Sequence, residues 1–468
     1  MTARRRIAVI GGGIAGMAAA YELATILQAE GEIMLLEASS RLGGKIETER
    51  RAGLTMELGP DAFLSTKPWA IELCRQIGLD DLVGTNPRQR DVFILHRGRL
   101  EPLPDGLTMM VPTRIAPLAT TRLLSLPGKL RASLEPLLPA ANGQPEESLE
   151  AFITRRFGHE LYQSVVEPMM SGIYAGDGSQ LSLEATFPIL AEWERRYGSV
   201  ARGALALRRR RKVGASQGAS SLFLAPAGGL ERLVDRLAAQ LVALGVSLVT
   251  EWPVRQIEKT AGGYLLRGQD DQTIKIDGMV VAAPSFDAAK LLANVAPALA
   301  ALLSRIEYAS TATVNLAFDD PELAARLDGY GYVVPSQEGR PALACSWSST
   351  KFPQRAPAGT ALLRVFMGRH GRDEIVDRPD IDLIKAARHE LAASLGITRP
   401  PDVVRVKRWH RAMPQYNLGH LERIGRIEAE AAAFPGIELA GAAYHGIGIP
   451  DCIHSGRQAA ERLTSQLG

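Results

Sequence analysis

Eleven residues near the start of the chain, Arg6-Ile7-Ala8-Val9-Ile10-Gly11-Gly12-Gly13-Ile14-Ala15-Gly16, constrain the fold more than any other stretch. Ile7 to Ile10 is an unbroken apolar run with β-branched weight, the pattern of a buried parallel strand. Gly11, Gly13 and Gly16 follow with the spacing G-x-G-x-x-G. The first glycine permits a tight turn and the second lets backbone approach a pyrophosphate. The third lets a helix over about 14–28 pack on the sheet, with its N-terminal N–H groups facing the phosphates. A second apolar strand, Ile33–Leu36, ends at Glu37, 21 residues after Gly16, where a carboxylate can accept ribose hydroxyls. Strand, turn, helix, strand and acid together predict a dinucleotide site; a structural glycine turn in another α/β fold is the competing reading.

Arg41-Leu42-Gly43-Gly44-Lys45 resembles the second glycine motif of glutathione-reductase-like flavoproteins, notably the flavin amine oxidase and phytoene desaturase relatives. Glu57-Leu58-Gly59-Pro60 fits the same family, as a turn beside the flavin. Phe157-Gly158-His159-Glu160 and Pro168-Met169-Met170-Ser171-Gly172-Ile173-Tyr174-Ala175-Gly176-Asp177 closely resemble segments of the porphyrinogen oxidases of haem biosynthesis.

That resemblance implies non-covalent FAD and no metal. It implies a cofactor site of Gly11, Gly12, Gly13, Ile14, Ala15, Gly16, Glu37, Ala38, Arg41, Gly44, Lys45, Gly59 and Pro60. Val254 at the adenine end, Trp409 near the flavin, and Gly441, Ile447, Gly448 and Ile449 complete it. The implied fold is α/β: a Rossmann-like FAD-binding domain built from discontinuous segments, an antiparallel-sheet substrate domain and an inserted helical subdomain. The FAD-binding domain takes 1–84, 213–294 and 419–468, the mainly helical insertion 85–212, and the substrate domain 295–418.

The family reaction removes six electrons from a porphyrinogen in three flavin cycles, with O2 reoxidising the flavin to give H2O2. Gly172 is the substrate-side residue the motif implies, with a structural turn glycine as the alternative. Pro102-Leu103-Pro104-Asp105-Gly106-Leu107 looks most like the coproporphyrinogen-oxidising bacterial members. Lys67, Arg88, Arg90, Arg97 and Arg99 would suit four propionates, or could equally be solvated. Protoporphyrinogen, with two propionates, is the alternative substrate. An amine oxidase or carotenoid desaturase shares the glycine motifs but leaves Gly172–Asp177 unexplained, and aromatics are only 6% of the chain, few for an amine-binding cage. A non-catalytic FAD-binding carrier is a third reading.

Net charge of +3 is too small for a general nucleic-acid binder. Cys74, Cys345 and Cys452 are few and widely spaced, which predicts free thiols in a reducing compartment. The expectation is a cytoplasmic protein, peripheral at the inner face of the membrane, that passes its product to a haem-pathway chelatase. Arg4-Arg5-Arg6 before a small-residue apolar stretch mimics a secretory signal, but the glycine spacing explains the same residues better. The longest apolar candidate elsewhere, Leu291–Ser304, is shorter than the roughly 18 residues a bilayer span needs.

Arg208-Arg209-Arg210-Arg211-Lys212 reads as a solvated loop, with anionic lipid or a polycarboxylate substrate as functional alternatives. Helices are expected over Thr66–Leu82, Ser148–Phe157, Glu160–Met170 and Ile453–Gln466. His159 and His445 are candidate bases more simply explained as structural, and Cys452 is a weak candidate for a covalent flavin link.

Overall fold

The run Arg5–Ile10 forms β1, the middle of a five-stranded parallel sheet in a computed structural model. The structure describes all residues except 1–3, 109, 113–114, 142–144, 215–220, 270–271 and 468. The other strands are β2 (Gly31–Leu36), β3 (Ser247–Val249), β4 (Gly278–Val281) and β5 (Ile437–Leu439), in the order β3-β2-β1-β4-β5. Ile7, Ala8 and Val9 are fully buried, as are Met279, Val280 and Val281, which explains the uninterrupted apolar runs.

Helix α1 (Ile14–Leu27) follows β1 and is buried almost all round, with Ile14 through Ala20 out of solvent. Its small residues allow this. Helix α2 spans Glu231–Ala243 and α3 spans Ile449–Leu467. A Cβ at Gly456 of α3 would lie 2.1 Å from the Ala15 carbonyl oxygen, so a glycine there sets the closeness of the α1–α3 crossing.

These elements belong to one of two compact units, made of Met1–Thr85, Ser221–Glu307 and Glu422–Gly468. The other unit is Asn86–Ser220 with Tyr308–Leu421. It holds a seven-stranded sheet in the order Val403–Pro414, Tyr308–Asp319, Thr360–Met367, Ala342–Trp347, Gly331–Val333, Val92–His96, Arg99–Pro102. Neighbours run antiparallel except Gly331–Val333 beside Val92–His96. Val314, Leu316, Phe318, Leu363 and Val365 pack with Leu383, Ala387 and Leu391 of helix Asp380–Leu395 to form its core.

The structure departs from the sequence reading at five points. The hairpin Val92–Pro102 is an edge of this sheet and not part of a separate helical subdomain, because Ile94 and Leu95 are buried against it. Helix Pro297–Ser304, expected at the start of the substrate domain, lies in the first unit. The helix expected over Thr66–Leu82 stops at Gln76, and Leu82–Gly84 is a strand paired with Phe223–Pro226. The basic run is not a loop but lies in helix Val200–Gly214. Finally, α3 begins at Ile449, four residues earlier than read, because Pro450 is tolerated in a first turn whose N–H groups lack intrahelical partners anyway.

Candidate functional site

Every element of the first unit's nucleotide cradle converges on the end of β1. Gly11 has φ +110°, and a Cβ there would lie 2.9 Å from the Ala282 carbonyl oxygen; both facts require glycine. Gly16 is tighter still, with a Cβ position 1.9 Å from the Gly11 carbonyl oxygen. Gly13, by contrast, would meet nothing within 4 Å. Open space therefore lies over the N-terminus of α1, whose first turn carries no acidic side chain. The first intrahelical bond is Met17 N–H to the Gly13 carbonyl, which leaves the N–H groups of Ile14, Ala15 and Gly16 ahead of the ladder. These features fit a bound pyrophosphate.

Glu37 ends β2 with its carboxylate fixed. Oε2 accepts from the Gly12 N–H at 2.7 Å, and Oε1 accepts from Ser39 N–H at 2.8 Å and Ser39 Oγ at 2.7 Å. One acceptor direction on Oε2 stays open for a ribose hydroxyl. Ala38 is exposed beside it. The strand leading to Val254 passes the same corner, with Trp252 N–H bonded to the Glu37 carbonyl and Glu251 N–H to that of Ser39.

The second glycine turn docks on the first: Gly43 N–H donates to the Gly12 carbonyl at 2.8 Å, and a Cβ at Gly44 would reach Gly13 Cα at 3.1 Å. Arg41 turns inward to hold this turn, its guanidinium donating to the carbonyls of Leu42, Gly44 and Ile46 and to Glu47. It is a staple of the loop. Glu57, buried, accepts from Thr48 Oγ1 and the Leu230 N–H, which ties the turn at Gly59 and Pro60 to the start of α2.

The C-terminal segment supplies the remaining wall. Gly441 is buried, at φ +123°, yet a Cβ there would meet nothing within 4 Å, so an enclosed space adjoins it. Asp451, in the first turn of α3, underlies Gly446 and Gly448 and pairs with Lys67 at 2.5 Å. The Lys67 ammonium, expected among substrate cations, is thus engaged within this unit. Burial holds the Lys45 ammonium below its usual pKa, offset by the nearby Cys452. That proximity brings the Gly44–Lys45 turn and the Gly448–Cys452 turn together.

Sequence reasoning missed Asp451 and Gly456; the carboxylate among the glycines Gly446 and Gly448 was the available signal for the first. His445 pairs with Glu428 at 2.8 Å and His159 lies 3.9 Å from Glu150, both with side chains more than half exposed. Burial pushes the Cys452 and Cys74 thiols up to about 12, and Cys345 higher. The folded chain therefore keeps protons that the unfolded chain, with thiols near 9.0, gives up. Stability should fall as pH rises from 9 toward 12, read as a falling thermal midpoint. Iodoacetamide at about pH 8 should label the three cysteines only after unfolding, scored by mass spectrometry.

In the second unit, Gly172 is exposed inside helix Glu167–Tyr174 and is no turn glycine. Its Cβ would meet Val333 Cγ1 at 3.7 Å and no other atom within 4 Å. A π-turn, Tyr162–Val166, precedes the helix; Pro168 has no N–H for the carbonyl of Ser164, so the wider turn accommodates it. Glu167 anchors the first turn, accepting from Arg369 at 2.8 Å and from Ser336 N–H at 3.0 Å. Arg90 is exposed before strand Val92–His96. Trp409 pairs with Thr311 across two strands of this unit, and Lys407 Nζ sits 4.7 Å from its ring centroid.

The parallel sheet and its two interlocked glycine turns define a dinucleotide-binding α/β protein. The chain belongs to the family of flavin containing amine oxidoreductases, whose model matches residues 14–464, and it is a flavin-dependent oxidoreductase. It is 36% identical to a coproporphyrinogen III oxidase of Bacillus subtilis, over 99% of both chains. It is 30% identical to a chloroplastic protoporphyrinogen oxidase of Nicotiana tabacum, over 98% of this chain and 85% of that one. A crystal structure from Exiguobacterium matches with a TM-score of 0.87 at 34% identity, over 99% of each chain. The resemblance to porphyrinogen oxidases is thereby borne out.

Proposed function

We propose that this protein is an FAD-dependent oxidase converting coproporphyrinogen III and three O2 to coproporphyrin III and three H2O2. Gly172 carries this reading. A glycine inside a helix costs about 1 kcal/mol relative to alanine, and no neighbour in its own unit requires one there. A flat macrocycle lying on the helix does. The names of the most similar relatives support the same substrate class. Protoporphyrinogen IX is the second reading, favoured by the 30% identity to the Nicotiana protein.

The N–H groups of Ile14, Ala15 and Gly16 would hold the FAD pyrophosphate, Glu37 a ribose hydroxyl, and backbone at Gly441 and Ile447–Ile449 the flavin end. Binding is non-covalent, in keeping with a Cys452 thiol that stays neutral. When bound, the flavin accepts hydride and is reoxidised by O2. The chain orients the macrocycle and excludes water; His445, exposed and hydrogen-bonded to Glu428, is assigned no role as a base. We place the protein peripherally at a membrane surface, with its product passing to a chelatase.

Anaerobic mixing with each porphyrinogen tests the assignment. Loss of the flavin's visible absorption, then porphyrin fluorescence and peroxide on admitting air, supports it. An unreduced flavin with both substrates overturns it. Gly172→Leu should lower kcat/KM about 100-fold while flavin content stays at the wild-type level.

A further inference from the structure

The helix that carries Gly172 is aimed from outside itself. Its solvent-accessible residues, Met169, Gly172 and Ile173, lie at i, i+3 and i+4 and form one apolar face. The π-turn Tyr162–Val166 precedes it, and a helix changes direction at such a turn. Ala175, at φ +47°, ends it. Its direction is therefore not inherited from the helix before it.

Two consecutive residues of one loop hold it instead. Arg369 Nη1 donates to Glu167, in the first turn, at 2.8 Å. The His370 N–H donates to the Ala175 carbonyl, at the far end, at 2.7 Å. The two attachment points are about 12 Å apart along a helix, a span that the side chains of Arg369 and Glu167 bridge. The loop has a fixed base. Gly368, at φ +86°, would place a Cβ 2.6 Å from the Ser310 carbonyl oxygen, and Asp373 accepts from the Ser310 N–H at 2.9 Å. The second Glu167 oxygen accepts from the Ser336 N–H at 3.0 Å. Both ends of the helix are thus referred to strand Tyr308–Asp319.

The Arg369 and Glu167 side chains are 13% and 9% exposed, and a pair this buried contributes little net stability against its desolvation. What it fixes is geometry. We infer that Arg369 is a positioning residue: through Glu167 it sets the angle at which Gly172, with Met169 and Ile173 beside it, meets the macrocycle. The inference rests on the porphyrinogen reading of the site.

Steady-state oxidation of coproporphyrinogen by flavin-loaded variants tests it. Arg369→Gln should lower kcat/KM about 10- to 100-fold, mostly through KM, at wild-type flavin content. Arg369→Lys, which keeps a charged donor, should recover most of the loss. Ser336→Pro removes only one N–H from Glu167, at the first residue of turn Ser336–Glu338, where proline is tolerated. It should raise KM in the same direction, and it serves where Arg369→Gln does not fold. Arg340→Gln is the control. Arg340 pairs at 3.2 Å with buried Glu390, on the helix packed against the sheet face that Tyr332 lines, whereas Val333 faces Gly172. That variant should lower the thermal midpoint and leave KM unchanged. An unchanged KM in Arg369→Gln, or in Ser336→Pro, overturns the inference while the oxidase reading stands. So does an equal rise in Arg340→Gln, which would mark a general effect of lost stability. Wild-type protein inert toward both porphyrinogens overturns the oxidase reading, and this role with it.

Discussion

Gly16→Ala protein should purify without flavin colour. The added methyl would sit 1.9 Å from the Gly11 carbonyl oxygen, and that atom is backbone in the turn facing the open space at Gly13. Relief requires either α1 to lift from β1 or the turn to open, and both displace the N–H groups of Ile14 and Ala15. Overpacking of this kind costs about 1–3 kcal/mol in stability, which a large core can bear, so the chain should still fold. The expected signature is a near-wild-type far-ultraviolet spectrum, a ratio of flavin to protein absorption at least about tenfold lower, and no recovery on adding FAD. Gly13→Ala is the contrasting variant: its methyl meets nothing in the chain and should spare folding while obstructing the nucleotide.

Glu135→Ala should destabilise the second unit by about 3–5 kcal/mol. Glu135 and Arg156 are both fully buried and hydrogen-bonded to each other, and Glu194 accepts from the same guanidinium at 3.2 Å. Glu135 also accepts from Ser199 Oγ, Val200 N–H and Ala201 N–H, so the carboxylate caps the helix beginning at Val200. Its removal takes from Arg156 its fully buried carboxylate partner, leaving Glu194 at 3.2 Å, and strips a helix terminus of its cap at once. Replacing both partners, Glu135→Leu with Arg156→Leu, should recover part of the loss, since no charge is left uncompensated. Denaturant midpoints of Glu135→Leu, Arg156→Leu and their double variant measure the coupling, and Glu135→Ala within about 1 kcal/mol of wild type would contradict it.

Whether a feature could be read from sequence depended on how far away its cause lay. The β1–α1–β2 unit and Glu37 follow from residues within one supersecondary motif, where apolar period and glycine spacing act locally. The basic run was misread as a loop because its charge suggests solvent. Arginine is nonetheless a good helix former, and the cap that starts the helix is Glu135, 65 residues upstream of Val200. Nothing local marks Gly456: the Ala15 carbonyl oxygen that requires a glycine there comes from a helix more than 400 residues away in sequence. The inward fold of Arg41 depends on a turn whose shape no spacing rule specifies. The substrate-side glycine was recognised as part of a motif, but the helix expected over Glu160–Met170 runs on to Tyr174 and takes in Gly172, a residue whose low helix propensity argues for a stop.

The order of strands in the parallel sheet has a consequence for biosynthesis. β1 lies between β2 and β4, and β4 is flanked in turn by β5, so the sheet closes only when segments some 270 and 430 residues downstream of its first strand are present. On a ribosome adding roughly 5–20 residues per second, the first βα unit waits many seconds with the apolar edge of β1 unpaired. A chaperone that shields this edge on the nascent chain should raise the yield of coloured protein more than any supply of flavin, because the cradle cannot close around a cofactor until the last strand and α3 arrive.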